Sequence, residues 1–438
     1  MQDILNQIKE YINNRPKQEW RPGVDLVQYS GPWFDHEEYQ AGVESLLGGW
    51  LALADAGQRF ETVFPRLYGR QHGVLVNSGS SANLVMMSVL TSRRMYNLPK
   101  GTKVVVPVAG FPTTMNPIFQ VGFEPVFVDM DINTLNINTT QLEEAVRTSG
   151  ARAMIFAHAL GNCPNMDDVM TVVNKYNLAL LEDACDSLGG TYNGKPLGSF
   201  GEMASCSFYP AHQITMGEGG FVVCKSHEQE VIARSFREWG RGCYCVGRQA
   251  NALKNGTCKQ RFSCWIEGLP DEIYDHKFTY DEIGYNLKPI ELQAAIGLVQ
   301  LKKLDAANAL RRRNHTLLQE VFRKYEEHFI IPTATPKADP SWFGFGLVVK
   351  DGAPFTRKEF VDFLEDRKIQ TRPYFAGNTL LQPAYKHLMP ADEAKAKFPV
   401  ATKLMKDALF LGVAPVVTEE QIAWVANCAE EFMKLKIK

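Results

Sequence analysis

Between residues 73 and 183 the chain repeats one alternation: a short unbroken apolar run, a turn, then a helix-length stretch with one apolar face. The runs are 73–77, 103–107, 125–129, 153–157 and 178–183, and helical patterns at 84–90, 113–120, 139–148 and 166–176 lie between them. Strands that are apolar on both sides are buried on both faces, which predicts an α/β fold: a parallel sheet covered by helices. Ligands of such sheets bind at the carboxyl ends of the strands. Phe111, Asp183 and the turn Ser78-Gly79-Ser80-Ser81-Ala82-Asn83 fall at such ends.

The flanking pattern is different. Residues 1 to about 45 read as two helices separated by a Pro-rich stretch, and 46–64 as helical segments around a break at Ala56-Gly57. The segment 234–285 is a Cys-, Gly- and aromatic-rich excursion, too long for an ordinary connection. A long helical run at 290–327 suggests a spine leading into a small αβ unit, with a strand at 343–349 and helices at 356–367, 398–408 and 418–435. The expected division is an N-terminal helical segment 1–45, a large domain 46–305 that includes the excursion, and a small domain 306–438.

Charge adds exclusions. Charged residues make up 22% of the chain and the formal net charge is -2, so no basic face for nucleic acid or an anionic membrane is expected. No apolar run approaches a membrane span, and the start Met1-Gln2-Asp3-Ile4-Leu5 lacks a signal-peptide layout, so the expectation is a cytoplasmic protein. Nine cysteines, an odd count with the close pair Cys243 and Cys245, then argue for metal ligation or buried thiols over disulfides. The turn at 78–83 offers free N–H groups and a helix dipole to an anion, although Ser and Gly are also ordinary capping residues.

The stretch Ser207-Phe208-Tyr209-Pro210-Ala211-His212-Gln213-Ile214-Thr215-Met216-Gly217-Glu218-Gly219-Gly220 reads as a strand, a Pro turn and a Gly-rich bend returning into a second strand at 221–224. Its layout resembles the cofactor-lysine loop of the sugar aminotransferases among the fold-type I pyridoxal phosphate (PLP) enzymes. In those enzymes a Lys follows Ser-Phe-aromatic-Pro by one residue. Here that position is His212. The resemblance implies a PLP-dependent transferase fold of type I, with a large, mostly parallel domain and a small C-terminal αβ domain. Imidazole cannot tether the cofactor as a Schiff base, but with a reference pKa of about 6.5 it can move a proton.

The same resemblance implies roles for further residues. Asp183 faces the pyridine nitrogen, and Asp186 faces the ring's O3′ with a charge where aminotransferases commonly hold Gln. Phe111 stacks on the ring, while Ser207 with Gly79 and Ser80 surrounds the phosphate. Tyr209 assists proton transfer or lies at the ring edge. Asn286 crosses to the neighbouring subunit's phosphate, which implies a homodimer. In the C-terminal unit, Phe345, Arg372 and Asn378 are candidates for holding sugar or diphosphate, or equally for structural roles.

A Cys-x-Cys pair can bring two soft thiolates to one zinc ion or iron–sulfur cluster. With Cys185, Cys258 and His212, the pair Cys243-Tyr244-Cys245 closely resembles the pyridoxamine phosphate (PMP)- and [2Fe–2S]-dependent 3-dehydrases of 3,6-dideoxysugar biosynthesis. The likeness runs from about residue 45 onward and includes Phe111-Pro112-Thr113-Thr114, Trp239-Gly240-Arg241, Tyr274-Asp275-His276-Lys277 and Phe375-Ala376-Gly377-Asn378. It implies removal of the C3 hydroxyl from a nucleotide-linked 4-keto-6-deoxyhexose, with a CDP-linked substrate favoured. His212 is then the base, and Cys185, Cys243, Cys245 and Cys258 hold the cluster. The run 246–257 departs from the family pattern, which leaves Cys264 as the other candidate for the fourth ligand. The chain has no dinucleotide fingerprint, so the electrons are expected from a separate NAD(P)H-dependent flavin and iron–sulfur reductase. Two alternatives stay open: a cluster-independent PMP 3-dehydratase recharged by an amino-acid donor, and an aminotransferase using Lys225 or Lys288.

Overall fold

The computed structural model describes residues 1–16, 19–243 and 261–437; Cys245 and Cys258 lie outside the described residues. Seven strands form the main sheet: β1 (His72–Val76), β2 (Lys103–Pro107), β3 (Glu124–Val128), β4 (Ala153–Ala157), β5 (Ala179–Asp183), β6 (Met203–Ser207) and β7 (Gly220–Cys224). Their spatial order is β1-β7-β6-β5-β4-β2-β3. Neighbours from β6 through β3 pair in parallel, while β7 runs antiparallel to both β1 and β6. Strands β4 to β7 are almost wholly buried, as their continuous apolar sequences require.

The reversed strand places the site. Gly220 at the start of β7 stands opposite both Val76, the end of β1, and Ser207, the end of β6. A Cβ on Gly220 would lie 2.1 Å from the Ser78 carbonyl oxygen, so only glycine lets the turn after β1 close onto the end of β6. Gly79 repeats the requirement: its Cβ would lie 2.6 Å from the Ser207 Cβ and 3.0 Å from the Cys185 Sγ.

A four-stranded antiparallel sheet forms the smaller layer from β8 (Phe329–Ile330), β9 (Gly344–Val349), β10 (Arg372–Pro373) and β11 (Ala408–Gly412), in the order β8-β9-β11-β10. An aromatic cluster of Phe322, Phe329, Phe345, Phe360 and Phe432 fills its core.

Three sequence expectations change. The run at 290–327 is two helices, Glu291–Leu301 and Leu304–Arg323. At the break, the Lys303 Nζ lies 2.8 Å from Asp35 and 2.7 Å from Glu38, ion pairs to a neighbouring helix start that a 3.6-residue pattern does not register. Ala56-Gly57 is no break but the interior of the helix Asp55–Val63. The Glu291 carboxylate, distant in sequence, caps that helix by accepting from the N–H groups of Ala54 at 2.6 Å, Ala56 at 2.5 Å and Gly57 at 3.2 Å. The pattern at 139–148 opens with a 3-10 turn, Thr139–Gln141, before the helix Leu142–Ser149.

Candidate active site

A cavity of about 740 Å³ opens at the carboxyl ends of β1, β2, β5 and β6 and is walled on its far side by β10, β11 and the segment after β10. Ser78, Gly79, Ser80, Phe111, Asp183, Cys185, Asp186, Ser207, Tyr209 and His212 all line it. Residues scattered over 135 positions of sequence are therefore brought together by strand order.

One end of the cavity is built for an anion. Ser78 caps the helix Gly79–Val89, its Oγ accepting from the Ser81 N–H at 3.1 Å, so the N–H groups of the first turn remain aimed at the cavity. Ser207 Oγ sits beside this helix start and accepts from the Tyr209 N–H at 3.4 Å.

At the middle stands Asp183, the last residue of β5. Successive side chains of a strand point to opposite faces, and the pair Glu182-Asp183 shows the consequence. Glu182 turns away and is consumed by structure: it contacts His158 Nε2 at 2.9 Å and accepts from the N–H groups of Gly198, Phe200 and Gly201. Asp183 turns inward. Its Oδ2 accepts from Asn83 at 2.8 Å and Thr114 at 2.7 Å, and its Oδ1 from Ser205 at 3.2 Å and the Cys185 N–H at 3.2 Å. Four donors fix this carboxylate in place.

His212 and Asp186 form the third feature. His212 Nδ1 is 3.5 Å from Asp186 Oδ1 but has no hydrogen-bond partner. Burial, with the Arg311 guanidinium nearby, pushes the imidazole down to about 3 against the opposing pull of Asp183 and the Cys185 backbone. Burial, with the Asp183 charge, pushes the Asp186 carboxyl up to about 8, against the Leu160 N–H bond and Arg311. Both shifts favour the neutral forms, a carboxylic acid at Asp186 and an uncharged imidazole at His212.

The backbone of His212 is held by a residue that sequence reading missed. Arg311, fully buried on the helix Leu304–Arg323, donates to the carbonyls of Ala211 at 2.9 Å and His212 at 2.7 Å, and at 3.3 Å to those of Trp342 and Phe343. Its only sequence signal was an arginine on the apolar side of a helix. Phe343, in turn, places its ring 5.1 Å from the imidazole.

Other candidates separate clearly. Phe111 is exposed to the cavity and meets Phe375 edge-on at 6.3 Å. Arg372 lines the cavity over the Tyr29 ring at 4.2 Å, whereas Phe345 is core and Asn378 is a buried cap bonded to Thr402 and the Leu380 N–H. Phe345 and Asn378 are therefore removed from the sugar-binding candidates. Asn286 is exposed and bridges to Glu238 outside the cavity. Cys185 lies on the cavity wall 3.6 Å from the Ser205 Oγ, its thiol pushed well up by burial and the Asp183 charge. Cys243 is buried and does not line the cavity, and Cys264 is exposed.

Among the described residues no lysine lines the cavity. Lys225 is paired with Glu202 at 2.8 Å on the surface, and Lys288 stacks 3.3 Å over the Trp239 ring.

The sequence pattern of the DegT/DnrJ/EryC1/StrS aminotransferase family matches residues 33–430. The chain belongs to this family. Its fold is that of the PLP-dependent type I transferases. Among similar DegT/DnrJ/EryC1/StrS-type proteins, the lipopolysaccharide biosynthesis protein RfbH of Salmonella typhimurium is 42% identical, over 94% of this chain and 93% of that one. The dTDP-4-dehydro-2,6-dideoxy-D-glucose 3-dehydratase of Saccharopolyspora spinosa is 38% identical, over 98% and 91%. The crystal structure of the Escherichia coli GDP-4-keto-6-deoxy-D-mannose 3-dehydratase with bound hydrated PLP superposes with a TM-score of 0.77 at 29% identity, covering 92% of this chain and 99% of that one. No helix among the described residues is long and apolar enough to cross a membrane.

Proposed function

We propose that this protein removes the C3 hydroxyl of a nucleotide-linked 4-keto-6-deoxyhexose, with pyridoxamine phosphate held noncovalently. One observation bears most of the weight: His212 occupies the loop where a tethering lysine belongs, and no lysine among the described residues lines the cavity. The names of the 3-dehydratase relatives support the same reading.

The cavity fits the cofactor. Its anion end is a cradle that a Cβ at position 79 would fill, its centre holds an anchored carboxylate, and His212 Nδ1 is buried without a hydrogen-bond partner. Gly79, Ser80 and Ser207 would hold the phosphate, Asp183 would hold the pyridine nitrogen protonated, and Phe111 would cover the ring. When bound, pyridoxamine phosphate supplies an amine for the sugar's C4 ketone and an electron-withdrawing ring. His212 would take the proton at C4′ without competing for a Schiff base. Asp186, its carboxyl pushed up by burial, would face O3′. Tyr209, at the mouth, assists proton transfer, and Arg372 is the cationic residue of the small sheet available to a diphosphate.

Completing a 3-deoxy sugar requires two electrons. Cys185, Cys243, Cys245 and Cys258 would hold a [2Fe–2S] cluster, which supplies one-electron steps from a separate NAD(P)H-dependent flavin and iron–sulfur reductase. Cys185 lies on the cavity wall, where it would bring one ligand close to the cofactor. The exposed Asn286, with the apolar surface around it, supports a homodimer.

The test is anaerobic incubation of the reconstituted protein with PMP, a reductase and CDP-, dTDP- or GDP-linked 4-keto-6-deoxyhexoses, following loss of the C3 hydroxyl. The expected result is deoxygenation of at least one sugar, with His212→Asn abolishing exchange of the C4′ proton. Unchanged exchange in that variant removes His212 from the reaction. Iron and acid-labile sulfide in the anaerobic protein separate the cluster-dependent reading from the cluster-independent one.

A further inference from the structure

At the outer edge of the main sheet, away from the cavity, three donor side chains converge. His72 opens the edge strand β1, and His227 and Glu230 lie three apart in the first turn of the helix His227–Arg237. The topology makes this meeting: His72 stands opposite Cys224 at the end of β7, and the helix begins three residues later, capped by Ser226. Glu230 Oε2 lies 3.0 Å from His72 Nδ1 and 3.6 Å from His227 Nδ1. Among the described residues this is the one trio of His, Cys, Asp or Glu side chains whose donor atoms all fall within 4.8 Å of one another. Donors bound at about 2.0–2.2 Å to a tetrahedral zinc ion stand about 3.4 Å apart, so the two measured distances bracket the edge of that tetrahedron.

One further feature suits a cation. The Glu230 side chain is only 6% exposed, so its carboxylate is fixed before any ligand arrives. Arg234 contacts Glu230 Oε1 and Glu61 Oε2, both at 3.0 Å. The other Glu230 oxygen faces the two imidazoles. Arg237 continues the network, bonding to Glu61 and to the Leu75 carbonyl of β1, both at 2.8 Å.

We propose that His72, His227 and Glu230 form a binding site for a zinc-class divalent cation, which fastens the edge strand β1 to the helix that follows β7. Its role is structural, because none of the three lines the catalytic cavity.

The test uses the full chain loaded with its cofactor, stripped by a chelator and titrated with Zn²⁺ and, for its spectrum, Co²⁺. The wild-type chain binds one ion that His227→Ala does not retain, with at least about a hundredfold loss of affinity. His227 is largely exposed, so this variant keeps the fold. Co²⁺ at the site shows visible d–d absorption without a thiolate charge-transfer band, which separates it from metal on the cysteines. Zn²⁺ raises the unfolding temperature of the wild type and leaves that of His227→Ala and His72→Gln unmoved. Equal Zn²⁺ binding by wild type and His227→Ala, a purely thiolate Co²⁺ spectrum, or no binding by wild type overturns the site and identifies the trio as a proton-sharing His–Glu–His cluster.

Discussion

At the scale of single residues, burial assigns the chemistry. Asp183 and Asp186 are three residues apart, yet one is fixed by four donors and the other is left with the Leu160 N–H at 3.2 Å as its side-chain donor. The difference is testable through stability. The folded Asp186 pKa, about 8, exceeds the reference carboxylate value of about 3.9, so the folded chain holds an extra proton between those values and loses stability as pH rises toward 8. The depressed His212 acts in the other window, costing stability as pH falls below about 6.5. Urea unfolding from about pH 7 to 8, where the unfolded imidazoles of His212 and of the likewise depressed His315 are mostly neutral, therefore reports chiefly on Asp186. We expect the wild type to weaken across it by up to about 1.4 kcal/mol per pH unit, and Asp186→Asn to remove most of that slope. An unchanged slope places the titration elsewhere. The sequence marked Asp183, Asp186 and His212 as candidates, but the charge state of Asp186 was not legible, because desolvation depends on what packs over the strand end.

At the scale of elements, the helix start at Gly79 depends on its distance from β6. Gly79→Ala forces a methyl against Ser207 and Cys185, an overpacking cost of about 1–3 kcal/mol that pushes the cradle apart. PMP affinity, measured by equilibrium dialysis, is expected to fall at least about tenfold. Ser80→Ala, at an exposed side chain that fills no gap, is expected to stay within about threefold. Equal affinities for the two variants would show that the backbone cradle does not hold the phosphate. The hairpin from β6 to β7 was readable from Pro210 and the glycines at 217–220, since turn residues announce themselves locally. The Lys303 break and the Glu291 cap were not, because each is an ion pair or hydrogen bond between segments far apart in sequence.

At the scale of the whole molecule, an apolar surface stands uncovered beside Asn286. Ile283 is 95% exposed and Trp50 67%, and Leu51 and Ile290 are also exposed. The backbone of Glu291 bonds to that of Leu51, so Leu51 and Ile290 belong to one face. Large exposed apolar side chains of this kind suit an interface. In light scattering, the wild-type chain is expected at the mass of a dimer, and Ile283→Glu at that of a monomer with weakened cofactor binding. A monomeric wild type, or an unaffected variant, rejects the homodimer.

The sequence alone determined the alternating α/β pattern, the strand-end positions of Asp183 and Phe111, and the imidazole in place of a lysine. These follow from local periodicity and from residue identity, which are written along the chain. Tertiary structure decided what those residues can do. Strand reversal at β7 brings Ser78 onto Ser207, Arg311 fixes the backbone of His212 from 99 residues away, and close packing shifts both His212 and Asp186 toward their neutral forms. Desolvation and long-range hydrogen bonding are set by neighbours in space, and no spacing rule along the chain encodes them.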